Sequence, residues 1–490
     1  MGVAYRWLLI FERMVTAAGA IVVMSVCGSV LCVHASHAQV TQLSESLDTV
    51  NHDTARVSPG APYDKSKYVQ IDSGHFVLDG NPFVLKGTNY FGSWRYQHTI
   101  DAGNGIEQDS PWILYGDGNV EKLAADFNFI RSTLKATAVR IGTPSDSDFA
   151  PLVKFHGYRP WYAADGTITP FYAAALAAIA DVAYKSGIRI QFCLLWNIGN
   201  EIVGNPDEFK TGGSKDKFYA NQVRSVAAVL SKHPGVIGYS VGNEVLIKWP
   251  INGQQKSWYE VRAAGFILRR IRDVRAAAPA QLISTDELAA PGGVQWYSPS
   301  PELAQLSDVD TGHGVEAIRL ADSVDYIGIH FYPESVSPAQ TSSDFAAKID
   351  DARAKLVQYG KASMAIGKPV VITEFGLPPP SSRPIPRQFA DMRDEFFRAI
   401  VRDSESLGFQ GLLAWGAVPE LVLKPGKYII IQSTLNKYSP VEVDIDGADR
   451  RHRRVIFCTP EFNLFEWGDY GAEPHPTAAA KALASAWSAH

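Results

Sequence analysis

The sequence predicts an α/β protein built as a (β/α)8 barrel, with a short N-terminal hairpin and a β-rich insertion after the eighth strand. Three observations carry this expectation. Eight short apolar runs rich in β-branched residues succeed one another with amphipathic helical stretches between them, the pattern of a parallel sheet joined by helical crossovers. No Gly-rich phosphate fingerprint follows the first run, which weighs against an open dinucleotide-binding sheet. Two of the runs close on a glutamate, at the strand end where barrels of this kind place their active sites.

The elements follow in order. Arg6 and Arg13 precede an uncharged apolar run from Met14 to Val33, and Ser36-His37-Ala38 then supplies a small-x-small cleavage pattern. Residues 1–38 are therefore expected to be a signal peptide, with an uncleaved membrane anchor as the alternative because the run is long enough to span a bilayer. The expected location is secreted or periplasmic. Residues 39–67 are polar and aperiodic and read as a flexible linker, and residues 68–490 as the barrel domain. Phe76-Val77-Leu78-Asp79-Gly80 followed by Phe83-Val84-Leu85-Lys86-Gly87 reads as a hairpin with an Asp-Gly turn that leads into the first barrel strand.

The later strands are expected at Ala138 to Ile141, Ile188 to Leu195, Val236 to Val241, Leu282 to Ser284, Val324 to Ile329, Pro369 to Thr373 and Gln410 to Ala414. Helical periodicity marks Asn119 to Lys135, Phe171 to Lys185 and Lys217 to Lys232; in the last, Phe218, Val223, Val226 and Val229 fall roughly along one face. After the eighth strand, Leu421 to Phe465 is rich in β-formers and basic residues, as a hairpin insertion on the barrel face would be. Pro476 to Ala489 reads as the closing helix, with Pro at its start.

Composition sets the class of partner. Lys and Arg number 46 against 51 Asp and Glu, a formal net charge of -5, so nothing points to nucleic acid and a neutral substrate is the default. Aromatic residues make up 11% of the chain, and Trp94, Tyr96, Trp112, Tyr115, Tyr158 and Trp161 fall in the first two loops, where they read either as sugar-stacking subsites or as loop packing. Beyond the leader the cysteines are Cys193 and Cys458, which permits one disulfide or two free buried thiols.

The chemistry concentrates at two strand ends. Val236-Ile237-Gly238-Tyr239-Ser240-Val241-Gly242-Asn243-Glu244 closes the fourth run, and Pro369-Val370-Val371-Ile372-Thr373-Glu374 closes the seventh. Opposite strands of one barrel can aim both carboxylates into a shared mouth. Cleavage of a glycosidic bond needs such a pair, one carboxyl protonating the leaving oxygen while the other attacks or activates water. Either glutamate alone would read as an ion-paired strand end. The histidines form no His-Glu-x-x-His or paired-cysteine ligand pattern and no Gly-x-Ser-x-Gly elbow is present, so neither a catalytic metal, nor another cofactor, nor a serine nucleophile is indicated.

Taken as a set, these motifs resemble the clan A glycoside hydrolases, most closely glycoside hydrolase family 5 with its cellulase-like and mannanase-like members, over roughly residues 76 to 416. The resemblance implies Glu244 as acid/base, Glu374 as nucleophile, and retention of configuration. It implies that Arg140, leaving the second strand, hydrogen-bonds near the nucleophile, and that Asn243 holds the sugar 2-hydroxyl. It also implies that His330 and Tyr332 flank the catalytic pair, that Trp415 forms the floor of the subsite for the cleaved sugar, and that Asn89, in a stretch that looks like the family's first strand, belongs to the substrate site. Many family members carry a histidine after the third strand where this chain has Trp196-Asn197, a pair suited to stack on and hydrogen-bond a sugar. The expected activity is hydrolysis of β-linked glucan- or mannan-type polysaccharide or oligosaccharide by double displacement. The alternatives are glycosyl transfer by the same residues, and a barrel that binds an envelope polysaccharide without cleaving it.

Overall fold

Eight parallel strands close into a barrel: β1 (Leu85–Tyr90), β2 (Ala138–Gly142), β3 (Arg189–Cys193), β4 (Val236–Asn243), β5 (Leu282–Leu288), β6 (Ile327–Phe331), β7 (Val370–Phe375) and β8 (Gly411–Ala417). Each pairs with its sequence neighbour, and β8 returns to pair with β1. This computed structural model describes residues 64–90, 98–101, 105–107, 120–143, 161–195, 198–245, 253–288, 320–332, 342–364, 366–376, 387–417, 427–434, 437–444, 452–458, 465–466, 475–476 and 478–488. They belong to a compact unit running from Asp64 to His490. The leader and nearly all of the expected linker lie outside the described residues, among which no helix is long and apolar enough to cross a membrane.

Among the described helices are α1 (Val120–Leu134), α2 (Pro170–Lys185), α3 (Ser214–Leu230), α4 (Gly253–Ala277), α5 (Leu320–Ser323), α6 (Ser342–Met364), α7 (Arg387–Ser406) and α8 (Ala478–Ser488). Their starts have local causes, as in α2, where the Thr169 hydroxyl accepts from the Tyr172 N–H and Pro170 occupies the first turn. Apolar residues of these helices pack on the outward side chains of the strands in one continuous core, with Phe127, Leu176, Val223, Ile267 and Phe397 all buried. Trp161 belongs to that core, its ring 5.8 Å from Tyr172, and is fully buried, so it is a packing residue and not a sugar platform.

The N-terminal hairpin is present and larger than expected. Leu78 pairs with Asn81 across Asp79-Gly80, both with positive φ as a tight mirror-image turn demands. A second turn at Ser73-Gly74 adds strand 70–72, giving a three-stranded meander. Val69 and Phe76 of this meander pack with Leu85, Ala138, Ile237, Leu282, Tyr326, Val371 and Leu413, at or near the N-terminal ends of seven barrel strands. The meander therefore plugs the bottom of the barrel. The opposite, C-terminal end is left for a site.

The insertion after β8 departs from a simple hairpin. Strands 427–434 and 437–444 pair antiparallel, strand 452–458 joins 427–434 in parallel, and strands 98–101 and 105–107 from the segment after β1 complete a five-stranded sheet. Several boundaries also move, the sixth strand lying at Ile327–Phe331 where Val324 to Ile329 was expected. His475–Pro476 pairs with Phe465–Glu466, so the last helix begins at Ala478 and Pro476 lies in a strand ahead of it. β5 extends to Leu288, four residues beyond the expected end at Ser284.

Cys193 ends β3 as a free, fully buried thiol, so the disulfide that two cysteines would have permitted is not formed. Burial, with the nearby Asp286 and Glu374 carboxylates adding to it, pushes that thiol up to about 12.

Candidate active site

Each glutamate stands on, or directly after, a strand that carries an extra residue near the mouth. Between β4 and β5 the register runs from Ser240↔Ser284 to Asn243↔Asp286, and between β7 and β6 from Ile372↔Ile329 to Glu374↔His330. In each case the glutamate-bearing strand is the longer one. Such bulges increase local twist and re-aim the side chains that follow. Here they deliver Glu244 and Glu374 to one place, with a carboxylate oxygen of each and a ring nitrogen of His330 all within 4.8 Å of one another.

Glu374 is held tightly. Its Oε1 accepts from Arg140 Nη1 at 2.6 Å and its Oε2 from the Tyr332 hydroxyl at 3.0 Å. Glu244 is the more open of the pair, its side chain 28% exposed against 4% for Glu374. Glu244 also has a φ of +51°, a left-handed conformation that is uncommon and strained for a residue with a Cβ and found disproportionately at functional sites. Its N–H donates to the main-chain carbonyl of Asp286 at 2.8 Å, which fixes the turn. His330, fully buried, places Nδ1 2.8 Å from Glu244 Oε1 and Nε2 3.3 Å from Glu374 Oε1, the second contact lying off a hydrogen-bonding line. One imidazole thus sits between the two carboxylates.

Arg140 is the hub beneath them. Its side chain is fully buried and reaches residues of four other strands: Asn89 Oδ1 on β1 at 2.9 Å, Asn243 Oδ1 on β4, Asp286 Oδ2 on β5 at 2.9 Å and Glu374 on β7. A planar guanidinium with five donors is the side chain that can do this. Burial opposes its charge, but the Asp286 and Glu374 carboxylates, with the hydrogen bond to Glu374, outweigh burial and hold it firmly protonated. Asn89 is turned into this frame: besides accepting from Arg140, its amide donates to the Thr373 carbonyl at 2.9 Å and so supports β7.

Asn243 presents only its Oδ1 to Arg140, which orients the amide nitrogen the other way. Trp415 is half-buried on β8, past the Ala414–Thr88 pair. Trp196 and Asn197 lie outside the described residues, as do Trp94, Tyr96, Trp112, Tyr115 and Tyr158.

Solved structures that match the chain include the beta-1,4-mannanase from the common sea hare Aplysia kurodai, at 15% identity and a TM-score of 0.45 over 71% of this chain and 92% of that one. Another is a glycoside hydrolase family 5 mannosidase from Rhizomucor miehei, at 14% identity and a TM-score of 0.49 over 86% and 97%. A third is a beta-glucuronidase from an uncultured Clostridium sp., at 14% identity and a TM-score of 0.42 over 86% and 53%. No family model matches the chain, and no curated protein does. Likeness at this level concerns the barrel; chemistry is decided by the side chains at its mouth.

Those side chains set the electrostatics. Burial raises the pKa of Glu374, His330 and Arg140 pull it down, Glu244 pushes it up again, and the Tyr332 hydrogen bond lowers it; the net position is above an ordinary glutamate. The Tyr332 hydroxyl is driven well above its usual range by burial and by the two carboxylates, so it stays protonated and donates to Glu374. Three members of the network were not anticipated from sequence: Asp286, Gln191 and Tyr326. Gln191 Nε2 donates to the Tyr326 hydroxyl at 2.7 Å, to Ser284 Oγ at 3.2 Å and to Asp286 Oδ2 at 3.4 Å, forming a polar layer under Arg140. The one available signal was the run Ser284-Thr285-Asp286, which looks like a strand end and is the strand itself.

Proposed function

We propose that the protein is a retaining glycoside hydrolase acting on β-linked glycans of the glucan or mannan type. The Glu244–Glu374 spacing supports this reading. Retaining enzymes hold their two carboxyl groups roughly 5 Å apart, whereas inverting enzymes separate them by about 6.5–9.5 Å to admit a water. Oxygens within 4.8 Å fit the first arrangement.

In the first step Glu374 attacks the anomeric carbon while protonated Glu244 gives its proton to the departing oxygen; the glycosidic bond breaks as a glycosyl ester to Glu374 forms. In the second, Glu244 takes a proton from water, which displaces Glu374 and restores both groups. The buried, doubly hydrogen-bonded Glu374 is suited to be the positioned nucleophile, and the more open Glu244 to meet the leaving group and then water. The Asn243 amide nitrogen is oriented to meet the sugar 2-hydroxyl and Trp415 to floor the subsite of the cleaved sugar; Trp196-Asn197 are the further sugar-binding candidates from the sequence. Neither step calls for a cofactor. The leader-like N-terminus supports export, with the enzyme released or anchored at the membrane.

Proton NMR of the first product formed from an aryl β-glycoside, found by screening glucans, mannans and small aryl glycosides, tests the reading: the β-anomer is expected first, and initial α-anomer would refute it. Adding a sugar acceptor separates hydrolysis from transfer, and binding of a glycan with no release would favour a non-catalytic barrel. Glu244→Gln should lower turnover of a natural glycan by about 10²–10⁴-fold, yet leave the first step on a dinitrophenyl glycoside, whose leaving group needs no proton, much less affected. Azide should then restore turnover of that substrate. Tyr332→Phe removes a hydrogen bond to a charged acceptor, and kcat/KM should fall about 10-fold or more with the melting temperature unchanged; an unaltered kcat/KM would remove Tyr332 from the site.

A further inference from the structure

Asp286 is a buried carboxylate that the two-step reaction does not use. Its Oδ2 accepts from Arg140 Nε at 2.9 Å and its Oδ1 from the Ser284 hydroxyl at 2.9 Å. The neighbouring position on β6 is Gly328, where a Cβ would stand 1.9 Å from Asp286 Oδ1; only glycine leaves room for this carboxylate. Asp286 also carries the main-chain carbonyl that accepts the Glu244 N–H. One residue on β5 is thereby connected to both members of the catalytic pair, to Glu374 through a single guanidinium and to Glu244 through the backbone.

We propose that Asp286 is the positioning residue of this site: it aims Arg140 at Glu374, shares that cation's charge with the nucleophile, and holds the turn that presents Glu244. The proposal rests on the hydrolase reading. Arg140 faces two carboxylates, so its charge is divided between them. Around Glu374 stand Arg140 from β2, Cys193 from β3, Glu244 from the end of β4, and His330 and Tyr332 from β6 and its end. Around Asp286 stand Arg140, Gln191, Cys193, Ser284 and Tyr326. Arg140 is the cation common to both groups. Neutralising Asp286 leaves its field to Glu374 alone and stabilises the ionised nucleophile, so the pH at which Glu374 becomes active falls. Loosening the aim of Arg140 slows the chemical step with little effect on ground-state binding.

Asp286→Asn in the full-length protein, assayed on an aryl glycoside that the wild type cleaves, is expected to lower kcat about 10- to 100-fold while KM stays within about 2-fold. The acidic limb of its kcat/KM profile should move down by roughly half a pH unit or more. A purely structural role would reduce the amount of folded enzyme and leave the limb in place. Ser284→Ala, which removes the hydrogen bond to Oδ1 along with the one Ser284 accepts from Gln191 but keeps the Asp286 charge, should lower kcat by a smaller amount and leave the limb in place, and it decides the positioning role if Asp286→Asn does not fold. Unchanged kcat and an unmoved limb in the folded variant overturn the proposal. Glu374→Ala runs alongside as the control: if it retains activity, the hydrolase reading fails, whereas a dead Glu374→Ala beside an unaltered Asp286→Asn refutes the positioning role alone.

Discussion

Glu374→Ala is expected to lower kcat by roughly 10⁴-fold or more while the barrel stays folded. The loss is large because no other group can take its place: His330 and Tyr332 contact the carboxylate without standing in for it, and Glu244 occupies the acid/base position on the other side. Folding should survive because the charge left behind is not orphaned, Arg140 still being paired with Asp286 at 2.9 Å. In the wild type, burial holds Glu374 above the ordinary glutamate range, so kcat/KM should rise with pH through an acidic limb that also lies above that range. The sign follows from the chemistry: the nucleophile must be ionised, and a raised pKa delays ionisation to higher pH. Trapping with a 2-fluoro-2-deoxyglycosyl dinitrophenolate should add one sugar to the peptide that contains Glu374. A label on another carboxylate, or a fully active Glu374→Ala enzyme, would dismiss the nucleophile assignment.

The strands were readable because a parallel barrel buries both faces, so β2, β4 and β7 are near-continuous apolar runs, and a polar residue that closes such a run stands out. Glu244 and Glu374 were visible for this reason. Asp286 was not, since the inward side of β5 carries polar residues, and Leu282-Ile283-Ser284-Thr285-Asp286 turns polar before the strand is over. Asn89 was legible as a site residue but not as a support, because its partners are the Thr373 carbonyl and Arg140, which only the closed barrel brings near. The same limit applies to the five-stranded sheet, where residues 98–101 pair with 452–455 across more than three hundred positions and no local pattern records it. Trp161 illustrates the converse, an aromatic in a loop whose burial against Tyr172 is set by tertiary packing.

Arg140→Ala should have the largest effect on stability, about 3–5 kcal/mol at neutral pH, because it strands two buried carboxylates whose one shared cation is gone. Glu374, already raised by burial, would then lose its nearest cation and favour its protonated form more strongly in the folded chain. A folded-state pKa above the unfolded one means that the folded variant binds more protons than the unfolded chain over that range. Its stability is therefore highest at acid pH and declines as pH rises through that range. The deficit relative to wild type should accordingly be smaller at pH 4.5 than at pH 7.5, measured by denaturant unfolding at each pH. Arg140→Lys separates charge from geometry: an ammonium keeps a positive charge beside Asp286 and Glu374 but lacks the planar fork that reaches β1, β4, β5 and β7 together. It should recover a good part of the lost stability and little of the activity. A loss below about 1 kcal/mol that is the same at both pH values would show that the carboxylates do not depend on Arg140 for their charge, and the electrostatic account of this hub would have to be abandoned.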